Sequence, residues 1–210
     1  IEQEFRGFGA ADAVTTGDWN NPTVLSRTHF LQGRRPSSIA DDRLADNPDE
    51  ALKGREVLTE VFDEAGAFLS TSFASITNRH LMTGLDGRAI HYAFVSETNE
   101  LRYDTTPFAA GGGSLTLPAV VSESVASDGG VVAGGVERTR ELAIRGARSA
   151  RIRATFDVVD NLGNVHQQSA HGQAGLDPSA TPVDGTIVSH TEPVLLNGAG
   201  QWIWRTGRTF

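Results

Sequence analysis

The sequence has no cysteine and one methionine, and of its 18 basic residues only Lys53 is lysine, which leaves 17 arginines. Without cysteine the chain can form no disulfide, zinc–thiolate centre, iron–sulfur cluster or cysteine nucleophile. That absence assigns no compartment. The longest apolar runs, such as 115–121, fall far short of the roughly 20 residues that a membrane-spanning helix requires. Positive charge is in deficit as well: 26 acidic against 18 basic residues give a net charge of −8. A surface that repels phosphate backbones argues against a nucleic-acid partner. Ile1 and the residues after it show neither a basic n-region nor an apolar h-region, so the sequence reads as a fragment of a longer polypeptide with no signal peptide within it.

What is present favours extended structure. Residues 24–31, 55–62, 90–95 and 151–159 are short runs rich in β-branched and aromatic residues. In the last, alternation puts Arg151, Arg153 and Thr155 on an outer face and Ile152, Ala154, Phe156 and Val158 on a buried one. The single helical candidate is 37–53, where Ser37 and Ser38 can cap and Asp41 and Asp42 suit the positive end of the helix dipole. Pro48 interrupts it, which predicts one or two minor short helices. The 23 glycines of the chain fit many hairpins. The expectation is therefore an all-β fold of antiparallel strands and hairpins. It divides into a strand group over 1–110 with a helical insertion near 37–53, a glycine-rich connection over 111–135, and a second strand group over 136–210.

A weak repeat supports the hairpins. Asp63-Glu-Ala-Gly66 and Asp160-Asn-Leu-Gly163 both place Asp where it can accept its own turn's amides and Gly where a left-handed residue is needed. Asp86-Gly87 is a looser relative.

Reactive constellations are sparse. No two histidines stand at the i, i+4 spacing of a zinc-binding helix; His166 and His171, with Asp160 upstream, are the nearest thing to a ligand set, and packed polar histidines explain them more simply. No serine lies in a Gly-x-Ser-x-Gly elbow. Gly7-Phe-Gly9 and Gly111-Gly-Gly113 neither open a helix nor precede a Lys-Ser/Thr pair, so they do not read as phosphate loops. The carboxylates between Asp41 and Glu50 lack the spacing of a calcium loop. No cofactor, metal ligand or catalytic residue is expected. Trp202 and Trp204 share a face and suit a core or a binding platform, with the core favoured. In Glu4-Phe-Arg-Gly-Phe-Gly9, alternation sets Phe5, Gly7 and Gly9 opposite Glu4, Arg6 and Phe8, as in a strand entering a crowded sheet.

Three blocks carry a family resemblance: Glu4-Phe-Arg-Gly-Phe-Gly9; Pro22-Thr-Val-Leu-Ser-Arg-Thr-His-Phe30; and Ala51-Leu-Lys53-Gly54-Arg55 with Glu60-Val-Phe62. Together, in this order, they resemble the middle region of the toxin-complex B component, the SpvB-related shell subunit of bacterial insecticidal toxin complexes. Phe156-Asp-Val-Val-Asp160-Asn-Leu-Gly163-Asn-Val165 is similar to the Asp-x-x-Gly-Asn unit of that family and of Rhs/YD repeats. His190-Thr-Glu-Pro193 and Trp202-Ile-Trp204-Arg-Thr206 fall where the family has its next extended segment. The resemblance implies a secreted, non-enzymatic virulence protein whose strands join an Rhs/YD-like shell sheet. It also implies partners: a β-propeller and Rhs repeats in the same polypeptide, and a C-component toxin subunit enclosed by the shell. A self-contained β-sandwich-like module that binds glycan or protein is the competing reading.

Overall fold

A computed structural model describes residues 7–33, 47–103, 113–145, 149–174, 185–195 and 204–210. The chain is all-β: among the described residues it has eleven strands and one short 3-10 turn. The strands are β1 (Ala10–Thr15), β2 (Val24–Phe30), β3 (Glu56–Asp63), β4 (Phe68–Thr83), β5 (Ala89–Tyr103), β6 (Ser114–Val125), β7 (Val131–Ala143), β8 (Ser149–Val159), β9 (Val165–Ala174), β10 (Ile187–Leu195) and β11 (Trp204–Thr209). They run in the order β1-β2-β3-β4-β5-β8-β9-β10-β11, with the β6–β7 hairpin branching from β4.

The branch is the main architectural event. The first half of β4 pairs antiparallel with β3, Leu58 opposite Phe73. Its second half, Ile76 to His80, pairs instead with β6 in parallel, while β5 follows β4 along its other edge. The exchange falls at a register shift between Ser75 and Ile76. There the Ser75 hydroxyl of β4 donates to the Pro118 carbonyl at 2.6 Å, tying β4 to the arriving β6. A bulge of this kind bends a strand and increases its twist, which frees one edge for a second partner.

Two apolar clusters result. One packs Val57, Leu58, Phe73, Leu101 and Tyr103 against Leu115, Leu117, Leu142 and Ile144 of the β6–β7 hairpin and its exit. The other joins Ile76, Ala93 and Val120 to Leu52 of the 3-10 turn Glu50–Leu52. Asn78 holds this turn by donating to the Pro48 carbonyl at 2.8 Å, and Arg138 of β7 pairs with the buried Asp49 carboxylate. Of the helical insertion expected over 37–53, the described part is this turn alone; residues 34–46 lie outside the described residues.

Four hairpins close on one turn design. The first residue's amide bonds to the fifth residue's carbonyl, and the fourth residue's amide returns to the first carbonyl. This holds for Asp63–Ala67, Gly84–Arg88, Ala126–Gly130 and Asp160–Asn164. The fourth residue is glycine each time, Gly66, Gly87, Gly129 and Gly163, with φ between 79° and 89°. This is the three-residue hairpin loop, a type I turn followed by a left-handed residue. Asp caps it in two ways. Asp63 and Asp160 occupy the first position and accept amides of the third and fifth residues; Asp86 and Asp128 occupy the third and accept the fifth residue's amide.

Three expectations need correction. Residues 114–143 form the β6–β7 hairpin, so the glycine-rich stretch is largely strand and not a connection. Residues 7–9 precede the first strand: Gly7 has φ 81°, a left-handed residue that breaks an extended run, and Phe8 is 73% exposed. The faces of β8 are also misassigned, since Arg151 is 2% exposed and Val158 47% exposed. Arg151 is buried because Asn99 and Glu97 of β5 meet its guanidinium.

Candidate functional site

The chain's most extensive buried polar construction among the described residues lies where β4, β6 and the β8–β9 turn meet. Arg79 of β4 has a side chain only 4% exposed. Its Nε and Nη2 each approach Glu123 Oε2 of β6 at 2.9 Å. From its other side Nη1 donates to the Val159 carbonyl at 2.7 Å, the Asp160 carbonyl at 3.1 Å and Asn161 Oδ1 at 3.1 Å. The guanidinium carbon sits 4.9 Å from the centre of the Phe94 ring. A planar fork of five donors can serve a carboxylate on one edge and backbone carbonyls on another, which a lysine ammonium cannot. Three separately paired parts of the sheet are thus locked by one side chain.

The turn that Arg79 grips is itself tightly made. Asp160 Oδ1 accepts the amides of Leu162 and Asn164 at 2.9 and 2.8 Å, and Oδ2 accepts Asn164 Nδ2 at 2.8 Å and lies 3.2 Å from His166 Nε2. Burial pushes its carboxyl upward, but the bonds from Asn164, His166 and Leu162 outweigh burial and hold it below the ordinary carboxylate range. Gly163 leaves no room for a side chain: a Cβ there would strike the hydroxyl end of Tyr92. Tyr92 stacks on Phe94, with ring centres 5.7 Å apart, so the ring under Arg79 also backs the wall against Gly163.

A second ladder crosses β5 and β8. Arg151 Nε donates to Asn99 Oδ1 at 2.7 Å, Asn99 Nδ2 to Glu97 Oε1 at 2.8 Å, and Arg153 Nη2 to Glu97 Oε2 at 2.9 Å. Burial raises the Glu97 carboxyl, but bonds from Arg153 and Asn99 and both guanidinium charges bring it below its usual range. This is how Arg151 can be buried: its charge is compensated within hydrogen-bond reach.

The arrangement nearest to a reactive constellation is on β8 and β9. Thr155 Oγ1 donates to Asp157 Oδ1 at 2.7 Å and lies 3.0 Å from His171 Nε2, while Ser169 Oγ donates to Asp157 Oδ2 at 2.5 Å. Asp157 can thus accept from both hydroxyls, with Thr155 and His171 sharing the third bond; a nucleophile–base pair would need the hydroxyl to donate to the imidazole instead. The cluster ties β8 to β9. Among the described residues no group of three His, Asp or Glu side chains is placed to hold a metal ion.

The residues singled out from sequence are scattered over the fold. Phe5, Arg6 and Trp202 lie outside the described residues, and Trp204 begins β11 opposite Leu195. Gly7, Phe8 and Gly9 lead into β1, with the Gly9 carbonyl accepting the Phe30 amide at 3.0 Å. Lys53, Gly54 and Arg55 dock on Leu31, whose carbonyl accepts the Gly54 amide and whose amide donates to the Arg55 carbonyl, both at 2.8 Å. Asp63 with Gly66 and Asp160 with Gly163 close the β3–β4 and β8–β9 hairpins, and only the second joins the Arg79 seam. Arg79, Glu123, Asn99 and Glu97 are absent from the sequence-level set. The available signal is a lone arginine amid Ile76-Thr-Asn-Arg-His80, but its partners are 44 and 80 residues away in sequence.

No family model matches the chain, and no curated protein matches it. Solved structures do. The chain has a Tc-toxin-like fold. It is similar to a chain of the Tc holotoxin pore of Photorhabdus luminescens with a TM-score of 0.52 at 10% identity, over 94% of this chain and 10% of that one. The TcdB2-TccC3 crystal structure gives a TM-score of 0.51 at 10% identity, over 94% of this chain and 11% of that chain. The TcdB2-TccC3-Cdc42 structure gives 0.52, also at 10% identity, covering 94% and 10%. The chain thus spans about a tenth of the length of the solved chains it matches.

Proposed function

We propose that the chain is a non-enzymatic structural segment of a large bacterial toxin-complex shell subunit, exported with it, whose strands help wall off a compartment around a toxic polypeptide. The specific position is the B-component middle region, next to a β-propeller and an Rhs/YD-repeat wall, with a C-component toxin subunit as the enclosed partner. The observation that carries this reading is the likeness in fold to Tc-toxin chains over nearly the whole of this chain. Edges support it. Among the described residues β1 and β11 each pair on one side only, and β7 pairs only with β6. The six residues of β1 are all exposed, and β7 exposes Val131, Val132 and Val136. Unpaired, apolar edges recruit other strands unless neighbours cover them, as the rest of a shell polypeptide would.

Size-exclusion chromatography of the 210-residue chain over a wide concentration range tests this. Concentration-dependent association is expected, reduced by Val132→Lys with Val136→Lys. A chain that stays monomeric at every concentration sinks the shell-segment reading.

A further inference from the structure

Among the described residues β1 pairs with β2 on one side and with nothing on the other. Ala10 stands opposite His29, so Gly9 stands opposite Phe30, and the Phe30 amide donates to the Gly9 carbonyl. Antiparallel ladders alternate, which turns the backbone groups of Ala11, Ala13 and Thr15 toward β2 and those of Ala10, Asp12 and Val14 away from it. Each of these last three offers one donor and one acceptor along the open side, and none of those groups is bonded to a described residue. Charge, bulges and proline discourage strand addition at such an edge. β7 shifts register against β6 at three places, and β11 carries Arg205 and Arg208. β1 is bare by comparison: its six residues hold unbroken register with β2 and include no lysine, arginine or proline. Asp12, its one charge, is neutralised by Arg27, whose Nε and Nη2 each lie 2.8 Å from a carboxylate oxygen.

The side chains narrow the partner. Ala10, Ala11 and Ala13 are small on both faces of the strand, which leaves room for larger residues on a strand laid alongside. Phe8 before β1 is 73% exposed, Val14 within it 61%, and Trp19 beyond its end 94%. Trp19 is carried by a fixed loop: Asp18 Oδ1 accepts the Asn20 and Asn21 amides, each at 2.8 Å, and a Cβ on Gly17 would strike the Asn21 carbonyl. An evenly spaced row of backbone donors and acceptors is satisfied by another extended chain. An edge whose one charge is already paired, flanked by exposed apolar groups, has nothing to compensate a charge on that chain. We propose that the outer edge of β1 is a strand-addition site for an uncharged extended segment with β-branched side chains, supplied by the polypeptide that surrounds this chain in the shell. The source of that segment rests on the shell-wall reading; the edge and the chemistry of the strand go beyond it.

The test titrates the 210-residue chain, below its association range, with a capped peptide of three Thr-Val repeats and follows amide hydrogen exchange by NMR. Exchange at Ala10, Asp12 and Val14 is expected to slow several-fold and saturably, with the amides of 131–136 unchanged. Capped peptides of three Thr-Pro repeats, which lack half the donors, and of three Glu-Val repeats, which carry charge, are expected to leave β1 unprotected. Val14→Pro removes one outward donor and leaves the bonds to β2 in place, so it should weaken the Thr-Val peptide about tenfold. No saturable slowing at β1, equal protection by the Thr-Pro peptide, or unchanged binding by a folded Val14→Pro chain overturns the proposal. Protection confined to 131–136 overturns the choice of β1 and leaves the shell wall standing, while equal protection by the Glu-Val peptide overturns the uncharged partner. Failure of the shell-wall reading shows separately, in the chromatography, whatever the peptides do.

Discussion

The turns at Asp63–Gly66 and Asp160–Gly163 are nearly the same object locally and different objects in the fold. Both close on the same pair of backbone bonds, both use a first-position Asp to accept two amides, and both end on a left-handed glycine, φ 83° and 89°. Around Gly66 a Cβ would meet nothing within 4 Å, whereas around Gly163 it would collide with Tyr92. The second turn also offers two carbonyls and the Asn161 side chain to a buried arginine. Turn chemistry thus sets shape, and what sits beside the turn decides how much of the fold depends on it.

Breaking the seam directly has the largest expected effect. Arg79→Ala leaves the Glu123 carboxylate, 23% exposed, and the Val159 and Asp160 carbonyls without their donor. Removing one partner of a buried, hydrogen-bonded ion pair costs about 3–5 kcal/mol. Urea denaturation at concentrations below association should show that loss, with Arg79→Lys falling between, because one ammonium cannot span Glu123 and the turn. A loss below about 1 kcal/mol, the size of an exposed pair, would mean that the three parts are held by backbone pairing alone.

That contrast also explains which parts of the molecule the sequence exposes to reading. Runs at 24–31, 55–62 and 151–159 match β2, β3 and β8 closely because each has β-branched or aromatic residues bounded by turn signals. The Asp-x-x-Gly turns are equally legible, since their chemistry is local. By contrast β4 is a 16-residue strand with Ser75 to Arg79 buried on both faces, so it carries no alternation to detect. The β6–β7 hairpin hides behind glycines that sit at its turn and bulges, with Gly134 packed against Ser122 and Gly135 at φ 106°. Arg151 reads as a surface residue because the groups that neutralise it come from β5, and Arg79 escapes notice because its partners lie on β6 and the β8–β9 turn.

Glycine substitution separates the two turns without touching a charge. Gly66→Ala should cost about 1–2 kcal/mol, the penalty for an L-residue in the left-handed region. Gly163→Ala adds a collision with Tyr92 and should cost about 1–3 kcal/mol more, as overpacking does. Adding Tyr92→Phe removes the struck hydroxyl and should recover part of the Gly163→Ala loss while leaving Gly66→Ala unchanged, which a double-mutant cycle reads as a coupling. Equal costs at the two glycines would show that Tyr92 moves aside freely.

The smallest expected effect is on pH. Asp160 is held below its ordinary value of 3.8 in the folded chain, so its contribution is present above that value and is lost as the pH falls through the lowered folded value. Asp160→Asn keeps one acceptor oxygen for the Leu162 and Asn164 amides but removes the charge and the titration. Its stability should therefore lie below that of the parent at neutral pH, and the gap should close as the pH drops below 3.8. Denaturation midpoints followed from neutral pH to about pH 2 measure this. A gap that stays constant over that range would place the value of Asp160 in its geometry and not in its charge, and the turn at 160–163 would then differ from that at 63–66 only through Arg79 and Tyr92.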